Sequence, residues 1–339
     1  MRRNGTIVRA QPATRHPSEP GRRGFLATLA AWLPSAAIAQ APAKIPRIGA
    51  LHWEGSDATF RVTELREALA SVGLRDGVNI VIDWRWADAN GARAAEQAAA
   101  LEASGVALIF VHSTPTIHAA KAAAPRTPLV VQAADVLSTG IVSNLTRPGG
   151  LVTGVATFGT DLAAKRLEAL REAVPGLTRI GFLGSTVDPN SETFIRETLL
   201  AGERMGIAVE AVRIPGPQAF GAALDTFVAA GVGAVIMQGL FVATARGFVE
   251  PALRRGLPCA GDQPNFAAAG ALMALGAERA HVTRRNAAQI DRILKGARPG
   301  DMPVERATVF RLVLNQRTAR ILGLTLPPSL LVRADELIE

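Results

Sequence analysis

Six short polar segments of this sequence each follow an apolar run, and together they hold most of the side chains able to handle a ligand: His52 to Ser56, His112 to Thr116, Ala133 to Asp135, Gly184 to Ser191, Gln238 to Phe241 and Gly261 to Gln263. Ser113 and Thr114 precede one helical segment, and Asn190 and Ser191 precede another. Their side chains, with the unpaired N–H groups of a helix's first turn, suit a carboxylate. The same residue types are ordinary N-caps, and both uses stay open to them. Asp135 and Asp262 are placed to receive an ammonium group, and Trp53 and Phe241 to stack on a flat or apolar ligand body.

Other chemistries find less support. His52, His112 and His118 fall near strand ends, but no Cys accompanies them and no close His/Glu/Asp spacing links them, so the sequence assigns no metal. Neither a G-x-G-x-x-G nor a G-x-x-x-x-G-K-[ST] loop is present for a nucleotide cofactor, and no Ser sits in a G-x-S-x-G elbow. No cofactor is expected. Cys259, the single cysteine, stands in an apolar stretch and reads as a small core residue.

The elements that position the polar segments alternate between short Val/Ile-rich runs and Ala-rich stretches of helical period, the pattern of βαβ units around a parallel sheet. Strands are expected at Arg47 to Leu51, Asn79 to Trp84, Leu108 to Val111, Leu129 to Gln132 and briefly near Ile141, with helices at Thr59 to Val72, Ala92 to Ser104 and Thr116 to Ala123. After the turn Arg147-Pro148-Gly149-Gly150, Leu151 to Thr157 reads as an extended connector. The pattern then restarts. Strands follow at Arg179 to Leu183, Ala208 to Val212, Ala234 to Gln238, Leu257 to Ala260 and Leu272 to Ala274, with helices at Thr160 to Val174, Ser191 to Met205, Gln218 to Ala230 and Ala243 to Arg254. A long helix from His281 to Lys295, a strand from Phe310 to Leu314 and a short helix from Asn315 complete the chain. Asp83-Trp84-Arg85-Trp86 alternates aromatic with charged residues, as an edge strand does, and its tryptophans are read as structural.

Ahead of all this, Arg22-Arg23 precedes the apolar run Leu26 to Leu33, which ends at the small-x-small site Ala37-Ile38-Ala39. That order is a signal peptide of twin-arginine type, and its apolar run is shorter than the roughly 20 residues needed to span a bilayer. Residues 1–39 are therefore expected to be removed on export to the periplasm. With them go six of 37 basic and one of 29 acidic residues, so a net charge of +8 becomes +3, 31 against 28. The remaining charges are interspersed, without the basic block that nucleic acid requires. About 300 residues then remain, enough for two domains.

Several segments together resemble the ABC-transporter substrate-binding proteins of the tryptophan/tyrosine-type group. They are Asp83-Trp84-Arg85-Trp86-Ala87, Arg147-Pro148-Gly149-Gly150 with Val152-Thr153-Gly154-Val155, Leu162-Ala163-Ala164-Lys165-Arg166-Leu167-Glu168, and most specifically Thr318 to Glu336. The resemblance implies a two-lobed type I periplasmic-binding fold, each lobe a doubly wound parallel sheet with helices on both faces. The N-terminal lobe would comprise residues 40–156 plus about 276–306, and the C-terminal lobe 157–275 plus about 307–339. It further implies a monomeric, non-catalytic receptor that closes on an amino acid or small carboxylate and delivers it to a permease and ATPase in the inner membrane. Ligand contacts carried over from such relatives fall on Trp53, Ser56, Ser113, Thr114, Asp135, Asn190, Gln238 and Asp262, beside Ser191. A ligand-sensing partner of a membrane sensor, or an α/β enzyme, is the alternative.

Overall fold

Val130 and Val131, or Val235 and Ile236, point to opposite faces of a strand and are buried on both, which happens only where a sheet is covered from two sides. A computed structural model describes residues 45–339, and the export segment expected over residues 1–39 lies outside them. In chain order the first unit runs β1 (Arg47–His52), α1 (Thr59–Ser71), β2 (Val81–Trp86), α2 (Gly91–Ala103), β3 (Ile109–His112), α3 (Thr114–Ala123), β4 (Leu129–Ala133) and β5 (Val152–Ala156). The second runs α4 (Ala163–Ala173), β6 (Arg179–Ser185), α5 (Asn190–Met205), β7 (Ala208–Ile214), α6 (Phe220–Ala229), β8 (Ala234–Met237), α7 (Arg246–Arg254), β9 (Cys259–Gly261), α8 (Asn265–Ala268) and β10 (Met273–Ala277). The tail adds α9 (Arg279–Leu294), β11 (Val304–Arg306), β12 (Phe310–Asn315), α10 (Gln316–Ile321), α11 (Pro328–Arg333) and β13 (Glu336–Ile338).

The strands form two sheets, ordered β2-β1-β3-β4-β5-β11 and β7-β6-β8-β9-β10-β12-β13. All pairs are parallel except β10 with β12. Helices α2 and α3 cover one face of the first sheet through Leu101 and Ile117, and α1 and α9 cover the other through Leu65, Leu69 and Ile290. Around the second sheet, Phe227 and Phe248 of α6 and α7 pack on one face, Leu167 and Phe194 of α4 and α5 on the other. Burying each such Leu or Phe contributes about 1.5–3 kcal/mol. The chain passes between the sheets after β5, after β10 and after β11. Among the described residues, no helix is long and apolar enough to cross a membrane.

Two expectations are corrected. Leu151 to Thr157 is not a free connector, because β5 lies between β4 and β11 in the first sheet. Its Gly154, at φ +150°, lets the backbones of β4 and β5 touch: a Cβ there would fall 2.0 Å from Val131 O. That glycine is also what weakened the strand's apolar pattern. Ile141 belongs to no strand; it is buried with Val142, whose N–H donates to Val136 O, and the pair anchors a turn to the core. The edge position of β2 agrees with its sequence, and Trp84 and Trp86 are half-buried there.

Candidate functional site

Parallel strands deliver their carboxyl ends to one side of a sheet, and in this chain both sheets present that side to a shared cleft. The cleft encloses about 770 Å³, part of it open to solvent. From the first sheet its wall is built by Trp53 and Glu54 beyond β1, Arg61 of α1, His112 at the end of β3, and Ser113 and Thr114 at the start of α3. Ser113 holds φ +66°, a left-handed conformation that costs a non-glycine residue on the order of 1 kcal/mol and turns the first turn of α3 into the cleft. Its Oγ lies 2.9 Å from Thr116 Oγ1.

Opposite, the second sheet contributes a chain of polar groups that fix one another. Gln238 Oε1 accepts from Ser185 N at 2.9 Å and lies 2.6 Å from Ser191 Oγ. Its Nε2 therefore points forward, donating to Asp188 Oδ2 at 2.7 Å. Asp188 Oδ1 accepts from Asn190 N at 3.0 Å. Burial pushes the Asp188 carboxyl up to about 6 and the neighbouring Asp262 pushes the same way, against the hydrogen bonds from Asn190 and Gln238. Burial raises Asp262 as well, opposed by the fully buried guanidinium of Arg166. Asp262 Oδ1 is buried and hydrogen-bonds to no protein group. Across the cleft, Asn190 Nδ2 donates to Thr114 Oγ1, so the two walls are joined.

Of the residues expected from sequence, the structure brings Trp53, Ser113, Thr114, Asn190, Gln238 and Asp262 to this cavity. Trp53 is 5 % exposed and packs with Leu240 from the opposite wall, a covered apolar surface and not an open platform. Ser191 stands behind Gln238 and orients it. Ser56 is exposed and lies off the cavity wall. Asp135 is corrected: its Oδ1 accepts from the N–H groups of Leu137 at 2.9 Å and Ser138 at 3.1 Å, a turn cap outside the cavity lining. Phe241 is buried in the core beneath the second sheet, edge-on to Phe220. Accordingly, Asp135→Ala is expected to cost roughly 1 kcal/mol of stability and to leave ligand affinity unchanged, as denaturant melts and calorimetry would register. An affinity loss above tenfold would return Asp135 to the site.

No individual role is assigned to Glu54, Arg61 or Asp188 from the sequence, and no metal to His112. Because β1 pairs with β3, His52 and His112 end on adjacent strands, and His52 Nδ1 lies 2.9 Å from His112 Nε2. Glu54 Oε2 lies 3.1 Å from that same Nε2, while Arg61 donates to Glu54 Oε1 from Nε at 3.1 Å and Nη2 at 2.6 Å. His52 is stacked on Trp86, ring centroids 4.7 Å apart. Burial pushes both imidazoles below their usual range, with further lowering of His112 by Arg61. For Glu54 burial acts upward, but Arg61 and His112 outweigh it and hold the carboxyl well below the usual range.

Comparison with known proteins places this architecture. A conserved domain protein from Vibrio cholerae, 22% identical, superposes with a TM-score of 0.80 over 87% of this chain and 100% of its own. The ABC domain from Streptococcus pneumoniae in complex with L-Trp, 23% identical, gives 0.79 over 86% of this chain and 99% of its own. By sequence, a tyrosine-binding protein of Clostridioides difficile is 24% identical over 260 residues, 76% of this chain and 75% of that protein. These likenesses establish the type I periplasmic-binding fold with its two lobes. The family model for the ABC transporter substrate binding proteins matches residues 54–338, and the chain belongs to that family.

Proposed function

We propose that this protein is the exported receptor of an ABC importer and closes on an amino acid, taking the ammonium group on Asp188 and the carboxylate on the first turn of α3. The observation that carries this reading is Asp188, a half-buried carboxylate fixed by Gln238 and Asn190 and ion-paired to no cation among the described residues. A carboxylate partly withdrawn from water is stabilised by an opposite charge, and an ammonium group supplies it. On the facing wall, Ser113 and Thr114 offer hydroxyls, and the first-turn amides of Thr114 and Thr116 have no helical partner. Asp262 adds negative charge to the ammonium side. Trp53, Phe194 and Leu240 line the remainder with apolar surface, which suits an apolar or aromatic side chain. Relatives that bind tyrosine and L-Trp point the same way. The twin-arginine segment supports export, and the family supports delivery to a permease and ATPase.

A thermal-shift screen of the protein against amino acids, aromatic acids and small carboxylates is expected to select free amino acids with apolar side chains. Small-angle scattering with the selected amino acid should then show compaction, since a ligand touching both walls favours the closed form. Selection of carboxylates that lack an ammonium group, or an unchanged radius of gyration at saturation, would count against the reading.

A further inference from the structure

The cluster of His52, Glu54 and His112 crowds three potential ligating atoms into one buried place. His52 Nδ1 and Glu54 Oε2 both face His112 Nε2, at 2.9 and 3.1 Å, and the three residues bring one ligating atom each to within 4.8 Å of one another. Two imidazole nitrogens and one carboxylate oxygen converge there. His112 Nε2 cannot point one N–H at both neighbours, and the arrangement leaves Glu54 Oε2 and His52 Nε2 buried without a hydrogen-bond partner. An unpaired buried carboxylate oxygen is costly, and two imidazole nitrogens and a carboxylate oxygen this close together are a ligand set a cation can take.

We infer that His52, Glu54 and His112 form a divalent transition-metal site, of a kind suited to Zn²⁺, in the first-lobe wall of the cleft. Two imidazoles and one carboxylate match a three-ligand zinc set with a position left over. His112 and Glu54 line the cavity, so that position opens toward the solute and not into the core. The supports are in place as well. Trp84 and Trp86 stack against the His52 ring, and Arg61 holds Oε1 of Glu54 so that Oε2 faces the histidines. All three ligands are 8 % exposed or less. The sequence assigned no metal here because His112 joins His52 and Glu54, two residues apart, only through the pairing of β1 with β3. The inference is independent of the amino-acid reading, which rests on Asp188 in the opposite wall.

The test uses the full chain purified without a histidine tag and stripped with chelator, titrated with ZnCl₂ by calorimetry and with Co²⁺ by visible absorption. One equivalent of Zn²⁺ is expected, with Co²⁺ d–d bands of a four- or five-coordinate site. His112→Ala and His52→Ala should each weaken Zn²⁺ binding at least tenfold, and His118→Ala and Asp188→Asn should not. Absence of heat and of bands in the wild-type protein overturns the site. So does an unchanged dissociation constant in folded His112→Ala, which would mean adventitious binding elsewhere. If a histidine variant does not fold, the wild-type Co²⁺ spectrum and its displacement by Zn²⁺ still decide. Loss of amino-acid binding in Asp188→Asn with Zn²⁺ binding intact would separate the two sites.

Discussion

Asp188→Asn is expected to weaken binding of an ammonium-bearing ligand by about 2–4 kcal/mol, the scale of a hydrogen bond to a charged group in a partly desolvated site. The change keeps shape and one acceptor but removes the charge and sets an amide donor against Gln238 Nε2, which cannot turn because its Oε1 is held by Ser185 N and Ser191 Oγ. Titration should report the same group. With the Asp188 carboxyl pushed up to about 6 in the empty protein, the folded value lies above the unfolded one. Its contribution to the stability of the empty protein is thus present at low pH and lost as pH rises through about 6, while the ligand needs the ionised form. Acid therefore favours empty over loaded protein. Affinity should be level above pH 6 and fall by up to tenfold per pH unit below it. Calorimetry between pH 4.5 and 8 reads this directly. A flat profile, or an Asp188→Asn protein that binds as the wild type does, would place the ammonium elsewhere.

The second large effect is expected at Arg166. This guanidinium is fully buried and donates to Leu275 O from Nε at 3.2 Å and from Nη2 at 3.0 Å, and to Gly159 O from Nη2 at 3.3 Å. Gly159 follows β5 and Leu275 lies in β10, so one side chain joins two of the strands from which the chain leaves for the other sheet. Its charge also opposes the burial that raises the Asp262 carboxyl. Arg166→Met leaves the two buried carbonyls without that donor, at a cost of about 1–3 kcal/mol each. Chemical denaturation measures it. A loss below about 1 kcal/mol would show that apolar packing replaces these hydrogen bonds.

Much of this architecture was legible in the sequence because fully buried parallel strands have few disguises. Runs such as Leu129-Val130-Val131 between turn residues have no other economical use. What stayed hidden has physical causes. Gly154 removed the side chain that would have marked β5, and the three-residue strands β11 and β13 are too short to show a period. In the site, the expectation named Asp135, whereas the proposed reading turns on Asp188. Both aspartates cap local turns, and what separates them is that Asp188 lines the cavity and Asp135 does not. Only packing decides that. Arg61 was invisible for a similar reason: on an amphipathic helix a charged residue reads as solvated until Glu54 folds over it.

The bond from Asn190 to Thr114 crosses the cleft between two protein side chains, with no ligand atom involved. If the protein closes on a solute as proposed, a latch of that kind stabilises the shut form whether or not anything is inside. Capture would then proceed only from the fraction that is ajar, and observed affinity would be scaled by that fraction. Asn190 and Thr114 would thus trade the speed of capture against the time a solute is held.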